Sequence, residues 1–248
     1  MKSAAKIHPL IKGLSLTTFL LCVLFVVGNC QASIAQENFK IQNVSNKFDV
    51  IIQVETTNMK RSEIDSDIIS GPAKICLFDK RKESEFQIIN MPNAIVYKDS
   101  IAYNPKINAK PRGLYTEEYS LVFEDFNFDD IEDMAVCNGK AGGYGAFSYN
   151  IYLFDTKLKK FVLSKELSHL TNAPYLGLFL TDLENKLLVA FSKSGCCYHK
   201  TEKYNIDRNK PVMVEQIIED STSSDNYSTV TTKKLIKGKW VTTVQKKK

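Results

Sequence analysis

The sequence is dominated by short stretches in which β-branched and aromatic residues alternate with polar ones. In residues 147–154 (FSYNIYLF), the odd-numbered positions hold Phe, Tyr, Ile and Leu, and in an extended chain these side chains share one face. No long stretch has the 3.6-residue apolar period of an amphipathic helix. Because strands need partners and an apolar face to bury, this pattern predicts an all-β fold.

Polar turns divide the chain into predicted strands, and no segment has the composition of a linker between domains. The roughly 210 residues that follow residue 35 are enough to bury a substantial core. We predict one all-β domain over 36–248, with antiparallel strands that meander in sequence order in a propeller-like arrangement; a β-sandwich is the alternative. Loops are predicted at 56–70, 97–113 and 221–226, and a helical turn at 165–170. The predicted strands are 48–55, 73–78, 85–91, 119–123, 131–137, 147–154, 161–163, 175–180, 186–191, 198–206 and 212–218, with a further β-segment at 227–244.

Residues 1–35 have the organisation of an export signal. Lysines at positions 2, 6 and 12 precede the apolar run 14–27, which is too short for a comfortable membrane span. Ser33-Ile34-Ala35 has the small residues of a cleavage site, so the mature chain would begin at Gln36. A lipid anchor at Cys30 is the alternative, although Asn29 fits poorly before a lipidated cysteine.

Without the signal segment the chain is nearly neutral, with 30 Lys and Arg against 28 Asp and Glu. No basic stripe is interleaved with aromatic residues, so we expect no nucleic-acid partner. The basic run at 246–248 is interpreted as a solvated tail.

Four cysteines follow Gln36, and an even number in an exported protein favours disulfides. Cys196 and Cys197 are adjacent, so they form either a vicinal disulfide or separate bridges. The candidates for those bridges are Cys76 and Cys137. Zinc is disfavoured, because the cysteines lack CxxC spacing and only His199 lies nearby.

Residues 125–133 (DFNFDDIED) match the ligand spacing of a calcium loop. Asp125, Asn127, Asp129 and Asp133 would supply side-chain oxygens at positions 1, 3, 5 and 9, and Ile131 a backbone carbonyl at position 7. Without a cation, carboxylates at such close range repel one another. We therefore predict a structural calcium ion at this loop.

The loop departs from an EF-hand. Position 6 is Asp130 where an EF-hand has glycine, position 12 is Val136 where it has glutamate, and the flanks are predicted strands. Asp130 can adopt a left-handed conformation, although at a greater cost than glycine. We expect Glu132 to point away from the ion. The alternative is a solvated acidic hairpin that keeps an edge strand soluble.

Residues 139–145 (GKAGGYG) form a glycine-rich loop with one tyrosine. A phosphate-binding loop is excluded, because the GxxxxGK[ST] spacing is missing and a strand follows. Tyrosine offers a rigid contact surface, and the flanking glycines allow close approach to a partner. The pattern favours a plug for a narrow cleft, with Ser148 and Tyr149 as hydrogen-bond donors at its base; a simple hairpin connection is the alternative.

Three segments, in this order, resemble a family of exported bacterial proteins related to periplasmic lysozyme inhibitors: DFNFDDIEDMAV (125–136), GGYGAFSYNIYLFD (142–155) and SKSGCCYHKTEKY (192–204). The resemblance covers roughly residues 115–206. Some members of that family are immunity proteins against lysozyme-like effectors delivered by a type IV secretion system.

The resemblance implies a propeller-like fold with an EF-hand-like calcium loop, and a second loop that inserts into the cleft of a lysozyme-like peptidoglycan hydrolase. In this sequence the inserted residues are Gly142, Gly143, Tyr144 and Gly145, with Ser148 beside them. The expected function is periplasmic inhibition of that enzyme, with an immunity role. The alternative is a calcium-stabilised surface or adhesion module.

We expect no catalytic activity. The sequence has no G-x-S-x-G or HExxH motif. Two nucleophile–base pairs are conceivable, Cys197 with His199 and Ser168 with His169. The second pair is excluded if its segment is a strand, because adjacent residues of a strand point to opposite faces. Asp129 and Asp133 could imitate the two carboxyl groups of a glycosidase site, but the calcium-loop spacing explains their positions.

Overall fold

A computed structural model describes residues 36–41, 44–55, 60–61, 68–97, 102–106, 112, 119–222 and 227–247. The predicted signal segment, its cleavage site and Cys30 lie outside the described residues. In the described part of the chain nearly all regular structure is β-strand, which confirms the predicted fold class. No helix in that part is long and apolar enough to cross a membrane.

The first sheet is built around one long strand, β4. Strand β5 pairs along one edge of β4, β2 and the short β3 share the other edge, and β1 lies outside β2; all pairings are antiparallel. Positions in β2 alternate between buried and half-buried, because one face of the sheet packs on the core. The bounds are β1 Gln36–Ile41, β2 Phe48–Glu55, β3 Lys60–Arg61, β4 Ile68–Asp79 and β5 Ser84–Tyr97.

The second sheet runs in chain order from β6 to β10, with β6 parallel to β7 and the other pairs antiparallel. One helical turn, α1 (Lys165–His169), follows β10. The side chain of Ser164 caps α1 by accepting a hydrogen bond from Leu167 N. The bounds are β6 Ala102–Tyr103, β7 Leu121–Glu124, β8 Asp133–Gly139, β9 Ser148–Asp155 and β10 Lys160–Ser164.

The third sheet is a six-stranded antiparallel meander from β11 to β16. Its last two strands form a hairpin in the β-segment predicted at 227–244, and every residue of β16 is exposed. The bounds are β11 Leu180–Asp182, β12 Leu187–Ser194, β13 Tyr198–Asp207, β14 Lys210–Asp220, β15 Ser228–Ile236 and β16 Lys239–Lys247.

Two apolar clusters place the second sheet between the other two. One cluster contains Ile75 of β4 and Phe154 of β9, and the other contains Ile151 of β9 and Leu188 of β12. The two faces of β9 therefore belong to different clusters, which explains why its positions are buried on both faces. The described residues thus form three packed sheets, where a sandwich would have two, and the propeller-like arrangement stays a prediction.

A few elements differ from the prediction. The predicted strand at 175–180 is wrong: Tyr175 makes one isolated bridge to Ser192, and β11 begins only at Leu180. Strands β3 and β6 lie within predicted loops, and β1 precedes the first predicted strand. Two-residue strands are too short to show a periodic pattern, so only their pairing in the fold defines them.

Candidate partner-binding site

The glycine-rich loop is the turn between β8 and β9. Gly143–Gly145 forms one tight 3-10 turn, closed by hydrogen bonds from Gly145 N to Gly142 O and from Ala146 N to Gly143 O, both 3.2 Å. Tyr144 has a φ of 57° and Gly145 a φ of 75°. The left-handed region is unfavourable for tyrosine, so surrounding contacts must hold Tyr144 in it.

Two glycines of this loop are required by close packing of the backbone. A Cβ on Gly143 would lie 2.6 Å from Pro174 O, and a Cβ on Gly142 would lie 2.7 Å from Ala146 O. Gly143 N donates to Tyr175 O over 2.6 Å, which fastens the loop to the segment before β11. The glycines thus allow close approach within the molecule, and the turn is pinned in place.

Ser148 and Tyr149 lie beneath the loop. Ser148 is 1% exposed; its hydroxyl donates to Asn138 Oδ1 (2.6 Å) and accepts from Ala141 N (3.2 Å). The Tyr149 hydroxyl donates to Tyr119 O over 3.0 Å. Both side chains support the base of the loop, and in this arrangement neither reaches the surface where a partner would contact it.

Tyr144 forms the exposed tip of the loop and is 67% exposed. Its Oη accepts a hydrogen bond from Gly195 N over 2.6 Å, and Lys193 Nζ lies 5.0 Å from the ring centroid. Both contacts come from the end of the β12–β13 hairpin. Since Gly195 occupies an acceptor site on the phenol oxygen, the Tyr144 hydroxyl proton can be donated outwards.

The same hairpin end carries a vicinal disulfide between Cys196 and Cys197. This outcome is one of the two pairings expected from the sequence. The alternative, separate bridges from Cys196 and Cys197 to Cys76 and Cys137, is wrong, because Cys76 and Cys137 are buried thiols. Cys76 lies on β4 of the first sheet and Cys137 on β8 of the second, whereas Cys196 and Cys197 lie at the end of the β12–β13 hairpin of the third sheet.

The acidic loop between β7 and β8 is braced by its own side chains. The two carboxylate oxygens of Asp125 accept from Asp129 N (3.1 Å) and Asp130 N (2.7 Å), and Asp129 accepts from Ile131 N (3.0 Å). Asp130 has a φ of 66° and adopts the left-handed conformation that the sequence allows at position 6. Glu132 turns elsewhere and accepts from Ser45 Oγ over 2.7 Å.

Asp133 is the buried end of this loop. It is 0% exposed, and its carboxylate oxygens accept from Phe126 N (2.9 Å) and Phe154 N (2.8 Å). Burial raises the pKa of Asp133 to about 8, and the charges of Asp129 and Asp125 contribute to the rise. Burial also raises the pKa of Asp125. The charged forms are disfavoured here, which is the electrostatic condition that a bound cation relieves.

The loop has the oxygen donors that calcium prefers, but their side chains do not point towards one common position. In the ranges that the structure describes, no three His, Cys, Asp or Glu side chains are placed to hold one ion. Asn127 Nδ2 instead donates to Asp129 Oδ2 (2.9 Å) and to Asn209 Oδ1 (3.0 Å). Calcium bound by Asp125, Asn127, Asp129, Ile131 and Asp133 stays a prediction.

The two conceivable nucleophiles are engaged in structural contacts. Cys197 is held in the disulfide. Ser168 is buried, donates its hydroxyl proton to Ser164 O (2.6 Å) and accepts from Ile151 N (2.9 Å). These bonds hold α1 against β9. The expectation that the protein is not an enzyme stays a prediction.

Sequence reasoning missed the contribution of Lys193 and Gly195 to the site. In the sequence their segment stands out for its two cysteines, and a separation of about 50 residues hides its contact with Tyr144. The only sequence signal was that both segments belong to the same family resemblance.

Together, the pinned glycine turn, its exposed tyrosine and the disulfide-bearing hairpin end form the candidate partner-binding site on an all-β fold. A solved structure of a Xanthomonas type IV secretion system related protein is similar to this chain, with a TM-score of 0.67 and 23% identity. The match covers 86% of this chain and 94% of that chain, and at this identity it shows a shared fold alone. No family model matches the chain, and neither does any curated protein.

Proposed function

We propose that the protein is an exported, periplasmic inhibitor of a lysozyme-like peptidoglycan hydrolase, and that Tyr144 and its flanking glycines enter the enzyme's cleft. The observation that carries the proposal is the state of Tyr144, which is exposed yet held in a left-handed conformation by a pinned turn. Strained backbone conformations cluster at functional sites, so an exposed aromatic residue held in one supports a binding role. A pre-set tyrosine loses little conformational entropy when it binds.

The mechanism needs no chemistry from the inhibitor. Lysozymes cleave with two carboxyl groups on either side of a sugar-binding groove. The Tyr144 hydroxyl would donate a hydrogen bond to one of these carboxyl groups, because Gly195 N already supplies a hydrogen bond to the phenol oxygen. Lys193 adds positive charge beside the ring. A loop in this position excludes the sugar chain.

The structural neighbour supports a more specific role. That protein is described as related to a type IV secretion system in Xanthomonas. Together with the resemblance to immunity proteins, this favours an inhibitor that protects the producing cell from lysozyme-like effectors. Its location would be the periplasm, either free after cleavage before Gln36 or anchored through lipidated Cys30.

A second candidate is a calcium-stabilised surface or adhesion module. It is favoured by the acidic loop, whose buried Asp133 has a raised pKa that a cation would lower. Calcium would also stabilise an inhibitor, so the ion does not separate the two functions. Inhibition of a lysozyme does.

The test is the clearing of a peptidoglycan suspension by goose-type, invertebrate-type, chicken-type and bacterial lysozymes, with and without the purified protein in calcium. We expect inhibition of at least one enzyme. Tyr144→Ala should lose most of that inhibition, while Trp240→Ala should keep it. Trp240 is a matched control, because it is an exposed aromatic residue (46%) at the turn end of the β15–β16 hairpin. Equal inhibition by both variants would refute the proposed role of Tyr144.

A further inference from the structure

The vicinal disulfide lies at the turn that contacts Tyr144. Gly195 has a φ of 65° and immediately precedes Cys196, which is exposed, and Cys197, which is half-buried. The disulfide between adjacent residues closes a small ring that includes their shared peptide bond. Such a ring removes most of the backbone freedom of the residues that follow Gly195.

The hairpin end is fixed on both sides of the disulfide. Cys197 O accepts a hydrogen bond from Ser221 N over 2.8 Å, which ties it to the end of β14. On the other side, Leu176 N donates to Phe191 O over 2.8 Å, and this ties β12 to the segment that also binds Gly143. The glycine loop and the β12–β13 hairpin therefore share one support.

Across this support, the hairpin end makes two contacts with the tip of the loop. Gly195 N–H donates to Tyr144 Oη (2.6 Å), and Lys193 Nζ lies over the ring. The hydrogen bond holds the phenol oxygen from one side and so fixes the direction of the outward proton. A hydrogen bond received by the oxygen also strengthens the hydroxyl as a donor.

We propose that the Cys196–Cys197 disulfide is a positioning element of the inhibitory surface: it holds Gly195 where its N–H orients Tyr144, and the disulfide turn and Tyr144 contact the enzyme together as one two-loop surface. The nature of the partner rests on the proposed function, whereas the coupling between disulfide and tyrosine does not. The partner chemistry is a concave, anionic cleft, because the exposed surface combines a phenol donor, an ammonium group and an apolar disulfide.

The proposal predicts that inhibition depends on the redox state. Dithiothreitol transfers two electrons and two protons to the disulfide, which becomes two thiols, while the reductant closes to its cyclic disulfide. The freed turn then has to be ordered again during binding. We expect the inhibition constant to rise about tenfold, because ordering a freed turn during binding costs affinity on that order.

The experiment compares wild type with Cys196→Ser/Cys197→Ser, each before and after reduction. The purified enzyme that wild type inhibits serves as the probe, at a reductant concentration that leaves its own activity unchanged. Reduction should weaken wild type about tenfold and leave the double variant, already weakened to a similar degree, unaffected. Cys76 and Cys137 provide an internal control, because both thiols are present in both proteins. Inhibition by the double variant equal to that of oxidised wild type would overturn the proposal.

Hydrogen exchange of the Gly195 amide provides a readout that does not depend on the enzyme. The amide should be protected in oxidised wild type. It should exchange faster after reduction, in Cys196→Ser/Cys197→Ser, and in a separate Tyr144→Phe variant that removes its acceptor, with the melting temperature as a check on folding. If no lysozyme is inhibited but this protection is redox-dependent, the proposed function fails and the coupling stands. Redox-independent exchange would show that the disulfide does not position Gly195.

Discussion

Gly143→Ala should displace the loop that we propose enters the cleft. The new Cβ would lie 2.6 Å from Pro174 O, whereas an ordinary contact requires about 3.4 Å or more. Relief requires a backbone movement of roughly 0.8 Å, because Cβ is fixed rigidly to the backbone of residue 143 and Pro174 O is itself a backbone atom. The Gly143 N to Tyr175 O hydrogen bond, now 2.6 Å, would lengthen towards its limit. Loss of that bond costs about 1 kcal/mol of stability.

Gly238→Ala is the matched control for this change, because Gly238 lies in the turn between β15 and β16, outside the loop that we propose enters the cleft. Gly238 has no atom within 4 Å of the position of its Cβ, and its φ of 75° makes alanine strained there. It should cost about 1 kcal/mol through backbone strain while the loop stays attached to Tyr175. The two variants thus have similar stability but differ in the position of Tyr144.

The assay measures urea unfolding and lysozyme inhibition for both variants. Both should lose about 1–2 kcal/mol of unfolding free energy. Gly143→Ala should also lose at least about tenfold in inhibition, whereas Gly238→Ala should keep it. Equal inhibition by wild type and Gly143→Ala would refute the reasoning that the pinned turn presents Tyr144.

Three further changes test other parts of the account. Tyr144→Phe keeps the ring and removes the hydroxyl, so it should lose about tenfold in inhibition, less than Tyr144→Ala; an enzyme assay that ranks the two equally would argue against the hydrogen bond to a carboxylate. Ser148→Ala removes the hydroxyl that joins Asn138 and Ala141, and should lower the unfolding free energy by about 1–3 kcal/mol, measured in urea; an unchanged value would contradict its supporting role. In calcium-free protein the pKa of Asp133 is raised to about 8, so its contribution to stability is fully present below about pH 4 and is lost as the pH rises through about 8, by up to about 1.4 kcal/mol per pH unit. Calcium should restore that loss and raise the melting temperature at pH 8, whereas identical melting curves with calcium and with chelator would favour the solvated acidic hairpin.

The sequence predicts the fold class well where strands are long enough to show alternation. Strand β9 is the clearest case, because its two faces match the two apolar clusters. The period-two pattern cannot show that the second sheet is covered on both sides, since that depends on the packing of distant strands. It also misled at 175–180, where apolar residues of a loop fill the core without forming a ladder.

The candidate site is predicted only in part. The glycine loop stands out because glycines flank a tyrosine, and the acidic loop because of its spacing. The bond between Tyr144 and Gly195 joins residues far apart in sequence, so no local pattern reveals it. For Ser148 the sequence suggests too much: its position beside the loop suggests a contact with a partner, but the pairing register of the strands buries its side chain.

The most direct test of the account is steady-state kinetics of an inhibited lysozyme on a soluble peptidoglycan fragment at several inhibitor concentrations. A loop inserted into the sugar groove must compete with substrate, so the apparent KM should rise with inhibitor while kcat stays constant. A fall in kcat at unchanged KM would place the inhibitor outside the groove and contradict the central claim.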